Sequence, residues 1–182
     1  MFKKMNTLKP FFNDPQREFG VREVAKLLKI SPATASKELK SLEKEGFLQY
    51  RKERLYDFYR ASLESQRYRD LKIYYNISRI RESGLIEALN KFYFNPKIIL
   101  FGSTSRGFDT KDSDIDLVVI DKYDKPFPSA DFSRKLGREL HIFAIKNFKG
   151  LRNPHLADGV LNGTILQGEI EWNLVSSQLK DM

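Results

Sequence analysis

Apolar residues along the first sixty positions recur first at helical and then at strand spacing. Met5, Leu8, Phe11 and Phe12 make a short apolar face, which Asn13-Asp14-Pro15 breaks. Val21, Val24, Ala25 and Leu28 recur at intervals of three and four, the stripe of a compact amphipathic helix. Lys29-Ile30-Ser31 reads as a tight turn. Ser31 suits an N-cap, because its hydroxyl accepts an orphan backbone N–H, and Pro32 suits the first helical position, where no N–H is needed. The helix predicted from there covers residues 32–45 and stops at Gly46. Ala35, Leu39 and Leu42 form its inward face. Thr34, Lys37, Ser41 and Lys44 face out, with Lys40 at their edge. Residues 47–52 and 55–60 read as two strands joined at a basic tip, Glu53-Arg54.

Residues 62–83 hold Leu63, Tyr68, Leu71, Ile73, Tyr74, Tyr75, Ile77 and Ile80, at helical spacing but apolar on more than one side. That predicts a long connector helix with a second packing surface, serving a partner or a homodimer seam. Residues 85–94 form another short helix, ended by Asn95-Pro96. Two apolar runs, 98–101 and 117–120, mark strands over 97–101 and 115–120 as buried. Residues 129–137 are helix-like. Residues 139–145 alternate as a strand with Glu139, His141, Phe143 and Ile145 on one face. Residues 154–167 read as a helix with Leu156, Val160, Leu161 and Ile165 inward. The last dozen residues read as a loosely held tail, although Trp172 argues that part of it packs.

The chemistry gathers between the two apolar runs. The first leads directly into Gly102-Ser103; after a ten-residue spacer, Asp114-Ile115-Asp116 opens the second. Side chains two apart on a strand project the same way, so both carboxylates stand together at a strand mouth and can share a divalent cation. The Gly-Ser turn offers N–H groups and a hydroxyl to phosphate oxygens. These are the parts of a metal–nucleotide site.

Composition sharpens the division of labour. The chain has 182 residues, 41% of them hydrophobic, enough for a packed core. It has no cysteine, which excludes disulfides and thiolate metal sites. The net charge is +8, unevenly spread: residues 1–61 hold 14 Lys/Arg against 8 Asp/Glu, whereas residues 96–182 hold 12 of each. The basic excess lies away from the acid pair and suggests a first module facing a polyanion. With neither a signal-like stretch nor a run of membrane-spanning length, a cytoplasmic protein that does not engage a membrane is expected.

GSTSRGFDTKDSDIDL resembles the DNA polymerase β-like nucleotidyltransferases, and most closely the minimal nucleotidyltransferases, whose spacer is also ten residues. The resemblance implies that Gly102 and Ser103 grip phosphates, with Arg106 adding charge and Ser113 orienting the acids. It implies that Asp114 and Asp116 hold Mg²⁺ and that a nucleoside triphosphate, ATP for preference, is the substrate. The family places a third carboxylate on the later strand. Here His141 stands in that place, with Glu139 one strand repeat earlier on the same face.

VREVAKLLKISPATASKELKSLEKEGFLQYRKER resembles prokaryotic winged-helix regulators. That implies duplex DNA as a partner, with Ser31, Thr34, Lys37 and Lys40 at the major groove and Arg51, Lys52 and Arg54 on wing-side phosphates. The expected class is α+β: a winged helix-turn-helix domain over 1–61, a connector over 62–83, and a nucleotidyltransferase domain over 84–182 with a small mixed sheet and flanking helices. Three readings follow: transfer of a nucleoside monophosphate to an acceptor, nucleotide-sensing transcription regulation without transfer, or adenylylation of a HEPN-type toxin by an antitoxin.

Overall fold

In a computed structural model, residues 2–151 and 153–170 are described, and the chain divides into two units between Tyr75 and Asn76. Trp172, expected to pack, lies outside the described residues.

In the first unit, helix α1 spans Phe2–Asn13, strand β1 Phe19–Gly20, α2 Val21–Leu28, α3 Pro32–Lys44, β2 Leu48–Glu53 and β3 Tyr56–Ala61. Local signals place these elements. Lys29 adopts a left-handed conformation (φ 55°) and turns the chain between α2 and α3. The Ser31 hydroxyl accepts from the Thr34 N–H at 3.1 Å, capping α3. Gly46 follows α3 at φ 78°, a conformation costly for residues with a Cβ. Leu8, Phe11, Phe19, Val24, Leu39, Leu42, Phe47 and Tyr59 share one buried core.

The hairpin differs from the expected one in two ways. Its tip is Arg54-Leu55, one residue later, with Glu53 paired to Tyr56. Leu48, Tyr59 and Ala61 must all face the core, and that sets the register. A third strand, the two residues of β1, pairs with β3, placing Phe19 opposite Tyr59.

Helix α4 (Gln66–Glu82) starts four residues later than the expected connector and is not a separate segment. Tyr68 is fully buried in the first core and donates to the Phe11 carbonyl at 2.7 Å; Leu71 and Tyr75 pack there too. Ile77 and Ile80 belong to the core of the second unit. The helix is apolar on more than one side because its two halves serve two cores.

The second unit continues with α5 (Leu85–Phe92), β4 (Lys97–Phe101), α6 (Gly102–Arg106), β5 (Ile115–Ile120), α7 (Ala130–Leu136), β6 (Leu140–Ile145), α8 (Pro154–Leu161) and β7 (Thr164–Gln167). The sheet order is β6-β5-β4-β7; β5 and β6 run parallel and the other pairs antiparallel. One sheet face packs Ile98, Leu100, Leu117, Val119 and Leu140 against Leu85, Leu89 and Leu136. The other packs Ile99, Phe101 and Val118 under Leu151 and Val160. Asp116 points to this second face, two residues before Val118.

The expected helix over 154–167 is corrected: it stops at Leu161 and the chain returns as β7. Leu161 and Ile165, expected inside, are exposed, and Leu166 is the buried residue. Had the helix continued, the backbone edge of β4 would lack the partners that β7 supplies. Gly163 allows the close return, since a Cβ there would lie 2.7 Å from the Leu100 carbonyl oxygen. Among the described residues no helix is long and apolar enough to cross a membrane.

Candidate nucleotide site and nucleic-acid interface

Strand β4 delivers Phe101 opposite Asp116, and the chain then enters α6 rather than a simple turn. Gly102 has φ 73°, and a Cβ there would sit 2.7 Å from Asp116 Oδ2. The entry to α6 therefore lies directly against the Asp116 carboxylate. Parallel pairing of β5 and β6 sets His141 beside Asp116. His141 Nδ1 lies 3.3 Å from Asp116 Oδ1 and 3.9 Å from Asp114 Oδ2, and its Nε2 lies 3.3 Å from Glu139 Oε1. The two acids, the histidine and the glutamate thus form one cluster.

Burial, with the charge of Asp114 added, pushes the Asp116 carboxyl above its usual range even though His141 pulls the other way. Burial lowers the His141 imidazole, but Glu139, Asp114 and Asp116 together outweigh that and raise it. The His141 shift expresses the negative charge gathered at the mouth of β5; the Asp116 shift expresses burial first.

A magnesium ion fits this donor set in a restricted way. Among the described residues no group of three or more His, Cys, Asp or Glu is arranged to hold a metal unaided. Mg²⁺ commonly takes one or two carboxylates and completes its shell with water and substrate phosphates. Asp114 and Asp116 would supply that pair, both partly exposed at the mouth. Such a site should hold the ion tightly only together with nucleotide. Titrating Mg²⁺ by calorimetry should give a weak response alone and a strong one with ATP present; tight binding without nucleotide would contradict this assignment.

Ser103 is half-buried and Arg106 exposed, its Nε 3.4 Å from the Gly102 carbonyl. Ser113 closes the spacer upon itself: its hydroxyl accepts from the Thr110 N–H at 2.9 Å and pairs with the Thr110 hydroxyl at 3.1 Å. Sequence reasoning missed the residues beneath. Asp109 is 2% exposed and forms an ion pair of 2.9 Å with Arg138, itself nearly buried. The one sequence signal was a charged residue just before the third strand, and periodicity does not read such a pair.

In the first unit, Ser31, Thr34, Lys37 and Lys40 are all exposed on or just before α3. Ser31 is partly engaged, since its hydroxyl both caps α3 and pairs with the Thr34 hydroxyl at 2.8 Å. The wing cations are not equivalent. Arg51 forms a fork to Glu18, with Nε at 2.9 Å and Nη2 at 2.6 Å, and Nη1 lies 2.7 Å from Glu53. Those hydrogen bonds to Glu18 and Glu53 raise its already high pKa. A phosphate would have to displace two carboxylates from Arg51. Lys52, within β2, and Arg54, at the tip, are both exposed.

Two family models match the chain. Residues 82–153 match the nucleotidyltransferase domain, and residues 14–55 match the N-terminal DNA binding domain of the iron dependent repressors. Comparison with curated proteins and with solved structures finds no match.

Proposed function

We propose that this chain, a winged helix-turn-helix domain fused to a nucleotidyltransferase domain, transfers AMP from ATP to an acceptor hydroxyl or phosphate while its first unit holds duplex DNA. The approach of Gly102 to Asp116 carries the reading, because it makes the phosphate turn and the acid pair one site. In the transfer, an acceptor oxygen attacks the α-phosphorus, the bond to the bridging oxygen breaks, and pyrophosphate leaves. Gly102 and Ser103 bind the outgoing phosphates, and Arg106, whose Nε lies 3.4 Å from the Gly102 carbonyl, adds charge there. Asp114 and Asp116 hold Mg²⁺, whose chemistry when bound is to neutralise the triphosphate. An imidazole nitrogen of His141 takes the acceptor proton.

The test is incubation with each labelled nucleoside triphosphate, Mg²⁺ and a cell lysate. Label should move from α-labelled ATP to a discrete acceptor, with stoichiometric pyrophosphate. No label and no pyrophosphate with any nucleotide removes the transfer reading.

His141 in place of a third carboxylate favours a second reading, a nucleotide-sensing regulator that does not transfer. The two readings separate at one residue. With transfer, His141→Ala lowers turnover by ~10²-fold, the usual cost of a lost general base, and leaves ATP affinity nearly unchanged. His141→Asp then keeps or raises activity. In a sensor the wild type is inert, and only His141→Asp transfers.

For the DNA-binding unit, affinity should fall steeply with salt, and the slope should shrink by about 0.9 for each phosphate that a substitution leaves unneutralised. Lys37→Ala, Lys52→Ala and Arg54→Ala should each weaken binding in full-length protein. Arg51→Ala should weaken it less, because Glu18 and Glu53 already occupy that guanidinium. Electrophoretic mobility shifts at several salt concentrations check this. Equal effects of all the wing substitutions would show that Arg51 is released on binding.

A further inference from the structure

The two acids of the site are not held alike. Asp116 lies inside β5, between Phe101 of β4 and His141 of β6, so the strand ladder fixes its backbone. Asp114 precedes the first residue of β5 and ends a polar loop whose one large apolar residue, Phe108, is exposed. Neither ladder nor apolar packing sets where its carboxylate stands.

Arg138 does so. We propose that Arg138 is a positioning residue for the metal-binding acid pair, setting the backbone of Asp114 and tying it to the phosphate-side helix α6. This deepens the nucleotidyltransferase reading and rests on it. The guanidinium makes four bonds in different directions. Nε donates to the Ser113 carbonyl at 2.5 Å, and Nη2 to the Asp114 carbonyl at 2.8 Å. Nη2 also donates to the Thr104 hydroxyl at 2.8 Å, and Nη1 to Asp109 Oδ2 at 2.9 Å. The Thr104 hydroxyl in turn donates to the Asp114 carbonyl at 2.9 Å. That carbonyl is thus gripped twice, once from α6 and once from the residue two before β6.

Asp109 balances the buried cation and is itself held. Its Oδ1 accepts from Asn76 Nδ2 at 2.9 Å, and the same amide donates to the Thr104 carbonyl at 3.1 Å. A buried ion pair adds little stability over a well-packed apolar pair of the same size. What it supplies here is direction: a rigid planar fork of donors aimed at two successive carbonyls, which an ammonium does not reproduce. Two carboxylates share one Mg²⁺ only if both backbones hold their places to within about 0.5 Å, and only one of them has a strand to do it.

The experiment uses the full chain and measures ATP affinity by calorimetry, once with Mg²⁺ and once with EDTA. Arg138→Lys keeps the buried charge facing Asp109 but loses the fork. It should stay folded, lose ~10-fold or more in affinity for ATP with Mg²⁺, the usual cost of removing a partner behind a metal ligand, and bind ATP in EDTA as the wild type does. Thr104→Val removes one of the two grips on the Asp114 carbonyl and should move the same quantity in the same direction by less. It also serves as the test should Arg138→Lys fail to fold. A residue needed only for folding would change both affinities together or neither, so equal losses with and without Mg²⁺ overturn the proposal. Unchanged affinity for ATP with Mg²⁺ in both variants overturns it as well. A wild type whose ATP affinity ignores Mg²⁺ overturns instead the nucleotidyltransferase reading beneath it.

Discussion

Replacing Asp114 and Asp116 together by alanine is expected to abolish Mg²⁺-dependent ATP binding and all nucleotide transfer, with the fold intact. The carboxylates are 44% and 25% exposed, so no large cavity forms when they are removed. They also repel each other: burial is the first cause that raises the Asp116 carboxyl, and the charge of Asp114 adds to it. Stability should therefore change by less than about 1 kcal/mol, the range of substitutions that break no packing. Binding should suffer far more, because the substitutions remove both carboxylates proposed to hold the ion. Thermal shift with ATP, measured with and without Mg²⁺, separates the two effects. A double variant that still gains stability from ATP and Mg²⁺ together would place the metal elsewhere.

Gly102→Ala is the second large effect, and it comes from geometry alone. At φ 73° an L-residue is strained, by about 1–2 kcal/mol. The new methyl would also stand 2.7 Å from Asp116 Oδ2, well inside van der Waals distance. Either the entry to α6 or the carboxylate must move. A displacement near 1 Å at reacting groups costs roughly 10²-fold in rate. Transfer should drop by at least about that much, while circular dichroism shows an unchanged fold. Gly46→Ala is the control: its φ is 78° but nothing lies within 4 Å of the added Cβ. It should cost similar backbone strain and leave the site intact. Equal activity in Gly102→Ala and wild type would mean that α6 and Asp116 do not act as one site.

Much of the chain was legible because its signals are local. Ser31-Pro32 opens α3 and Gly46 follows its end through backbone sterics and one capping hydrogen bond, properties of adjacent residues. Strands β4 and β5 were legible at their observed bounds because they are buried on both faces and carry the apolar runs 98–101 and 117–120. The spacing of Asp114 and Asp116 signalled a shared position at a strand mouth, although only Asp116 lies inside β5.

Tertiary structure alone decided the rest. Residues 164–167 carry no strong strand pattern; they become β7 because β4 has an open edge and Gly163 lets the backbone approach it. The apolar surplus of α4 was visible, but only the fold shows that it is divided between two cores. The alternation of residues 139–145 put His141 on a face, yet only the parallel pairing with β5 brings it to Asp116. Arg138 and Asp109 lie 29 positions apart and obey no period. Their meeting beneath Asp114 follows from long-range pairing and desolvation, which couple residues distant in sequence and leave no mark on their neighbours.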